Sequence, residues 1–162
     1  MTIRTFEGSL DGRHLRIAVV ASRFNETIAK QLVDGALDCL RRHGVEAQDT
    51  SLTWVPGAFE LPATAARLAA SREVDAVVCV GAVIRGETTH FEFVAREAAR
   101  GIADAARTSG VPVTFGVLTT EDADQAAERA GGKSGNKGFD AAAAAIEMAN
   151  LFAALPKPAT EL

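Results

Sequence analysis

Cysteine is scarce in this chain, which contains two among 162 residues. Cys39 falls in an amphipathic helical pattern and Cys79 in an apolar run, and neither has the spacing of a metal ligand or of a redox pair. Both are therefore expected to be buried thiols in a reducing compartment. We expect no bound metal.

Long apolar runs and basic clusters are also missing. No stretch of about 18 apolar residues could cross a membrane, and residues 1–6 lack the apolar core of a signal peptide. The net charge of -4, with lysine and arginine scattered along the chain, leaves no broad basic surface. We therefore expect a soluble, cytoplasmic protein that binds small molecules and has no nucleic-acid or membrane partner.

The apolar residues instead form short, valine-rich runs that alternate with helical patterns. Such runs are typical of parallel strands that are buried on both faces and covered by helices. Strands are predicted at residues 15–21, 50–55, 76–82 and 113–118. Helices are predicted from Asn25, a candidate N-cap, to Gly44, and over residues 59–71, 90–109, 121–130 and 136–155. Because neither a repeat nor a linker interrupts this pattern, we expect one α/β domain over residues 1–162.

The two ends of the chain are expected to differ from this pattern. Residues 2–7 alternate like a strand but have no local partner, so residues 1–12 are predicted to form an arm whose strand joins a neighbouring subunit's sheet. Pro156 and Pro158 should end the last helix and leave residues 156–162 as a free tail. An arm that needs a neighbour implies a homo-oligomer.

Ligands of open parallel sheets bind beyond the carboxyl ends of the strands, so the segments that follow each strand are where a site is expected. Phe24 and Phe59 lie in such segments and could stack on a planar ring, and Glu60 could accept hydrogen bonds from ring N–H groups. Residues 86–89 open a helix and offer backbone N–H groups and hydroxyls for a phosphate. His90 follows at the positive end of that helix, which disfavours an imidazolium, and is a candidate general base.

Each of these residues also has a plainer interpretation. Phe24 and Phe59 could pack at the edge of the core, an isolated histidine at a helix start is more often structural, and Arg129 could be a solvated helix charge. The segment GKS at 132–134 resembles the end of a phosphate-binding loop. That motif needs a glycine where this chain has Ala127, and it should follow a strand, so we interpret the segment as a helix connection.

Several ordered motifs together resemble the lumazine synthase family over residues 17 to about 155. They are SRFN at 22–25, PGAFELP at 56–62, GAVIRGETTHF at 81–91, FGVLTT at 115–120, and ERAG at 128–131 followed by GNKG at 135–138. The resemblance implies a flavodoxin-like, three-layer α/β/α sandwich with a central parallel sheet. It also implies a transferase of riboflavin biosynthesis that condenses 5-amino-6-(D-ribitylamino)uracil with 3,4-dihydroxy-2-butanone 4-phosphate, without a metal or other cofactor.

The resemblance assigns expected roles to individual residues. His90 would transfer protons, and Gly86, Glu87, Thr88 and Arg129 would hold the phosphate. The pyrimidine and its ribityl chain would contact the following residues: Phe24, Ala58, Phe59, Glu60, Ala82, Val83, Ile84, Phe115 and Lys137. In the family, Phe115, Arg129 and Lys137 come from the adjacent subunit of a pentamer.

The short connection at residues 132–138 resembles family members in which twelve pentamers form an icosahedral shell, and riboflavin synthase is a candidate partner. One departure from many relatives is Asp122, which replaces an asparagine and adds an acid at a helix start. The alternative function is a non-catalytic paralogue that binds flavin or lumazine, or forms a shell. A flavodoxin-like electron carrier or phospho-receiver is disfavoured, because SRFN at 22–25 supplies neither a hydroxyl-rich phosphate loop nor an aspartate.

Overall fold

The computed structural model describes residues 1–159. Its strands are β1 (Ile17–Ser22), β2 (Thr50–Val55), β3 (Ala76–Ile84), β4 (Val113–Thr120), β5 (Ala130–Gly132) and β6 (Gly135–Asn136). Its helices are α1 (Glu26–Arg42), α2 (Leu61–Ala70), α3 (His90–Ser109), α4 (Ala123–Arg129) and α5 (Lys137–Ala154). Short 3-10 turns at Ala47–Asp49 and Ala58–Glu60 precede β2 and α2.

Four parallel strands form the central sheet in the order β2-β1-β3-β4. Alternate residues of β1 point to opposite faces, as a strand requires. Val19 packs with Leu32 of α1 and Ile146 of α5 on one face. Val20 packs with Leu61 of α2 on the other face, which α3 also covers. The predicted three-layer α/β/α sandwich is therefore confirmed, and the loops after β1, β2 and β3 meet at one end of the sheet.

Helix α5 owes its close packing to its alanines. Ala142 and Ala145 are fully buried against the sheet and α1, and Ala141 lies against Gly116 of β4. Since a larger side chain at these positions would push the layers apart, the alanine run serves packing as well as helix propensity.

Asn25 occupies the predicted N-cap position of α1, where its carbonyl accepts a hydrogen bond from the backbone N–H of Ala29 at 3.0 Å. Its backbone lies in the left-handed region, with φ 60° and ψ 53°, and its side chain makes no capping hydrogen bond. The side-chain nitrogen Nδ2 instead donates to the carbonyl of Ala82, at 3.0 Å. The predicted position is therefore confirmed, but the side chain does not cap the helix, because residue type alone cannot show that another segment provides a competing acceptor.

The connection before α5 contains structure that was not predicted. Strands β5 and β6 form a small antiparallel pair that is joined by a turn at residues 133–134. Gly131 in β5 and Gly135 in β6 have positive φ, at 105° and 81°. Asp122 accepts a hydrogen bond from the backbone N–H of Gln125, so this acid caps α4. Asn136 caps α5 in the same way, accepting from Gly138 and Phe139.

Both cysteines are buried free thiols, as predicted. Desolvation raises the pKa of the Cys79 thiol to about 12. Desolvation, helped by the charges of Asp38 and Asp140, raises the pKa of Cys39 to about 11. Within residues 1–159, no helix is both long enough and apolar enough to cross a membrane.

The ends of the chain run outside the sandwich. Residues 1–10 form neither helix nor strand in the single chain, and Asn150 of α5 donates to the carbonyls of Ser9 and Asp11, at 2.8 and 2.9 Å. The predicted strand of the arm, which needs a second chain, stays a prediction. Residues 156–159 follow α5 without regular structure. The rest of the predicted tail, residues 160–162, lies outside the described residues.

Candidate active site at the carboxyl ends of the strands

A cavity of about 710 Å³ opens where β1, β2 and β3 end and α3 begins. Ten of the fourteen site residues expected from the sequence line it: Phe24, Ala58, Phe59, Glu60, Ala82, Val83, Ile84, Gly86, Thr88 and His90. They come from three stretches of the chain, one after β1, one after β2 and one from the end of β3 to the start of α3, which the parallel sheet brings to a common edge.

The aromatic rings of Phe24 and Phe59 border the cavity and are exposed. Phe24 is 73% exposed and Phe59 is 60% exposed, and neither belongs to the two core clusters. The interpretation that these rings pack at the edge of the core is therefore wrong. Large apolar side chains that stay in water beside a cavity are typical of binding surfaces.

The loop that carries Phe24 is tied to both neighbouring strands. The backbone N–H of Arg23 donates to Val55 at 2.8 Å, and that of Phe24 donates to Pro56 at 3.0 Å. Asn25 supplies the third tie, to Ala82 of β3. Hydrogen bonds thus hold the backbone that carries the Phe24 ring, although the ring itself is exposed.

Glu60 is held by the turn in which it lies. Its Oε2 atom accepts a hydrogen bond from the backbone N–H of Gly57, at 3.0 Å. This contact closes the loop after β2 and keeps the carboxylate beside the cavity.

Residues 86–89 form the exposed entrance to α3. Thr88 Oγ1 accepts a hydrogen bond from the backbone N–H of His90, at 3.3 Å. Among residues 1–159, no group accepts a hydrogen bond from the backbone N–H of Gly86, Glu87 or Thr88. Unpaired N–H groups before a helix can receive an anion.

Arg85, next to this segment, is already engaged. Its Nε donates to Glu121 at 2.8 Å, and its Nη1 lies 3.6 Å from Glu92. Its guanidinium also lies over the ring of Phe91, 4.8 Å from the ring centre. Two carboxylates therefore compensate the cation closest in sequence to the free N–H groups.

His90 is the first residue of α3 and lines the cavity with an exposed side chain. No group among residues 1–159 hydrogen-bonds its imidazole ring. A structural histidine would be expected to be packed or hydrogen-bonded, so the ring is open to a ligand.

Four expected site residues do not line the cavity of this chain. Glu87 lies in the entrance to α3 but not on the cavity wall, and Phe115 is exposed on β4, at the edge of the sheet. Arg129 ends α4, where its Nη1 donates to the carbonyl of Gln125 at 3.0 Å. Lys137 begins α5 and lies 3.5 Å from Asp140.

The sequence did not identify every residue around the cavity. The lining residues that were not expected are Asn25, Pro56, Gly57, Phe91, Phe93 and Val94. A usable signal existed for part of this set, because residues 90, 93 and 94 share one face of a helix. Phe93 is an exposed aromatic residue on that face.

Comparisons with known proteins show which family the chain resembles in sequence. The family model described as 6,7-dimethyl-8-ribityllumazine synthase matches residues 14–153. A protein of Clostridium kluyveri with that name is 53% identical over 150 residues, which cover 93% of this chain and 97% of that protein. Its namesake from Prosthecochloris aestuarii is 55% identical over 152 residues, which cover 94% of this chain and 98% of that protein. The chain therefore belongs to the 6,7-dimethyl-8-ribityllumazine synthase family, the transferases that form this lumazine in riboflavin biosynthesis.

Proposed function

We propose that the cavity is the active site in which this transferase condenses 5-amino-6-(D-ribitylamino)uracil with 3,4-dihydroxy-2-butanone 4-phosphate, releasing phosphate and water. One observation carries the proposal. An exposed aromatic ring, unpaired backbone N–H groups and an open imidazole border the same cavity, on Phe24, on Gly86 and Thr88, and on His90. These are the groups needed to hold a planar ring, to hold a phosphate and to transfer protons between the two substrates.

The pyrimidine is proposed to stack on Phe24. Its edge and its ribityl chain contact Ala58, Phe59, Glu60, and the Ala82, Val83 and Ile84 end of β3. Glu60 supports this placement because its carboxylate is already oriented by Gly57. A ring gripped by stacking and by its polar edge presents its amino group in a defined direction, which lowers the barrier to condensation.

The phosphate is proposed to bind at the entrance to α3, through the backbone N–H groups of Gly86, Glu87 and Thr88. Glu87 acts through its backbone, since a carboxylate repels phosphate. Arg85 is compensated by Glu92 and Glu121, so the balancing cation must come from elsewhere. Arg129 is proposed for this role, because a guanidinium forms charge-assisted hydrogen bonds with phosphate.

His90 is proposed to transfer protons between the two substrates. It lies on the cavity wall with Thr88 and Gly86, next to the place assigned to the phosphate. From there it would take up and return protons as the amine and the carbonyl condense to a Schiff base with loss of water. It would do the same as the phosphate leaves.

Oligomerisation is proposed to complete the site. Phe115, Arg129 and Lys137 lie away from the cavity of their own chain, so they would act in the site of an adjacent subunit within a pentamer. Twelve pentamers would form the icosahedral shell, with riboflavin synthase as a candidate partner. Residues 1–12 would add their strand to a neighbour's sheet, and the assembly would work in the cytoplasm without metal or cofactor.

The test is a fluorescence assay with both substrates, in the presence of a chelator. We expect the protein to form the lumazine faster than the uncatalysed condensation, and His90→Ala to lower the rate by about 100- to 10,000-fold. His14→Asn is the matched control. His14 is an exposed histidine with φ 68° that precedes β1, at the opposite end of the sheet, and asparagine tolerates that backbone. A folded assembly that binds flavin without accelerating the reaction would contradict the proposal and indicate the binding paralogue.

A further inference from the structure

Asn25 combines two features that are unusual beside a cavity. It is one of three residues other than glycine that have a positive φ in residues 1–159, with His14 and Arg72. Of these three it alone lines the cavity. Its side-chain amide makes no capping hydrogen bond with α1. The amide donates instead to the carbonyl of Ala82, 57 positions along the chain.

The hydrogen bond from the Asn25 amide to the Ala82 carbonyl, here called the amide bridge, lies beside β3 where the pairing with β1 has ended. The pairing of β1 with β3 stops at Ala21 and Val80, whereas β3 continues to Ile84 beside β4. Ala82 is buried, and its carbonyl lies past the last residue of β1 that could pair with it. A buried carbonyl without a donor is destabilising, and the Asn25 amide supplies that donor.

The bridge also bears on the ring of Phe24. Because that ring is exposed, side-chain packing does not hold it, and its position follows the backbone on either side. Arg23 and Phe24 tie the loop to the end of β2. Asn25 adds the hydrogen bond to β3. Without its amide, the loop would keep its hydrogen bonds to the end of β2 and lose the one to β3.

We propose that Asn25 is a positioning residue for the pyrimidine substrate, because its amide bridge to Ala82 sets where the Phe24 ring stands over the cavity. The inference rests on the stacking role proposed for Phe24. It adds a residue that acts through another side chain rather than by touching the reacting atoms.

Two substitutions separate the amide from the backbone conformation. Asn25→Gly keeps a residue that tolerates positive φ and removes the amide. Asn25→Asp keeps the shape but places an oxygen against the Ala82 carbonyl. We expect each to raise the KM for the pyrimidine about tenfold, equivalent to about 1.4 kcal/mol, and to leave the KM for the phosphate substrate within about twofold.

A matched control removes a similar bridge elsewhere. Asn150→Asp deletes the amide that donates to Ser9 and Asp11 beside the arm, and we expect an unchanged KM for the pyrimidine. Thermal melting checks that each variant is folded. Asn25→Gly keeps the test decisive if Asn25→Asp does not fold, since glycine introduces no repulsion.

A double-mutant cycle tests the route through Phe24. In a Phe24→Ala background, Asn25→Gly should change the KM for the pyrimidine by less than about twofold, because the ring that it positions is gone. A full tenfold effect in that background, or a wild-type KM in Asn25→Gly alone, would overturn the inference and leave the proposed function intact. An unchanged KM in Phe24→Ala alone would overturn the stacking role, and this inference with it.

Discussion

Two inactive variants should restore each other's activity when they assemble together, if each active site combines two chains. His90 lines the cavity of its own chain, whereas Arg129 ends α4 away from that cavity. His90→Ala and Arg129→Ala therefore damage opposite halves of the proposed site. In a mixed ring, a chain that retains His90 can receive Arg129 from a His90→Ala neighbour.

The expected recovery follows from the two losses and from the geometry of a ring. General acid–base assistance contributes about 100- to 10,000-fold. A hydrogen bond to a charged group contributes about 1.5–3 kcal/mol, or about 10- to 100-fold. Each variant alone should thus retain at most about a tenth of the wild-type rate at low concentrations of the phosphate substrate. In a random equal mixture, about a quarter of the sites join an intact cavity to an intact Arg129, because every interface of a closed ring is equivalent.

The assay uses co-expressed, differently tagged variants, purified through both tags and followed by lumazine fluorescence. We expect about a quarter of the wild-type rate. The matched control combines His90→Ala with Phe24→Ala, which damage the same half of the site, so no site in that mixture is intact. A rate for the first mixture no higher than the mean of its two variants would refute the shared site.

Three further predictions concern packing and protonation. Gly138→Ala places a methyl group against the carbonyl of Leu32, so it should lower the free energy of unfolding by about 1–3 kcal/mol in denaturant. Gly86→Ala, which has open space around it, is the control and should not lower it. Equal stabilities of the two variants would contradict the close contact of α1 and α5. Burial raises the pKa of Cys79 from its ordinary 9.0 to about 12, so the unfolded chain releases its thiol proton first as pH rises. The melting temperature of the native protein should then fall more steeply between about pH 9 and 12 than that of Cys79→Ala, and parallel curves would exclude the effect. Both thiols should resist alkylation near neutral pH until the chain unfolds, as mass spectrometry can measure, since a thiol reacts as its thiolate and both are buried; rapid native labelling would show that the layers open.

The layered fold could be predicted because its signals are local and repeated. The valine-rich runs at β1 and β3 and the helical spacing of α1 each report burial through composition alone. At the ends of the elements these signals are weaker, and several observed boundaries differ from the predicted ones. Helix α2 begins at Leu61, after a 3-10 turn, and β3 and β4 each run two residues beyond their predicted ends. The pair β5 and β6 was missed because strands of three and two residues carry no periodicity.

The candidate site could be predicted in part for a related reason. Phe24, Phe59 and His90 follow strands or open a helix, and parallel strands bring such positions to one edge. Phe91 and Phe93 were overlooked because apolar residues in an amphipathic helix usually face the core. The structure gives Phe91 a place beneath the Arg85 guanidinium and leaves Phe93 exposed at the cavity.

The sequence by itself determined the four strands of the central sheet, the five helices, their burial and the family, since apolar periodicity and ordered motifs are properties of the chain. The tertiary structure decided which groups meet across long separations. It engaged Arg85 with Glu121 rather than leaving it for a ligand, and it turned the Asn25 amide from helix capping to the carbonyl of Ala82. It also showed that Arg129 does not reach the cavity of its own chain. These outcomes depend on distances between segments remote in the chain, which residue types and local spacing do not encode.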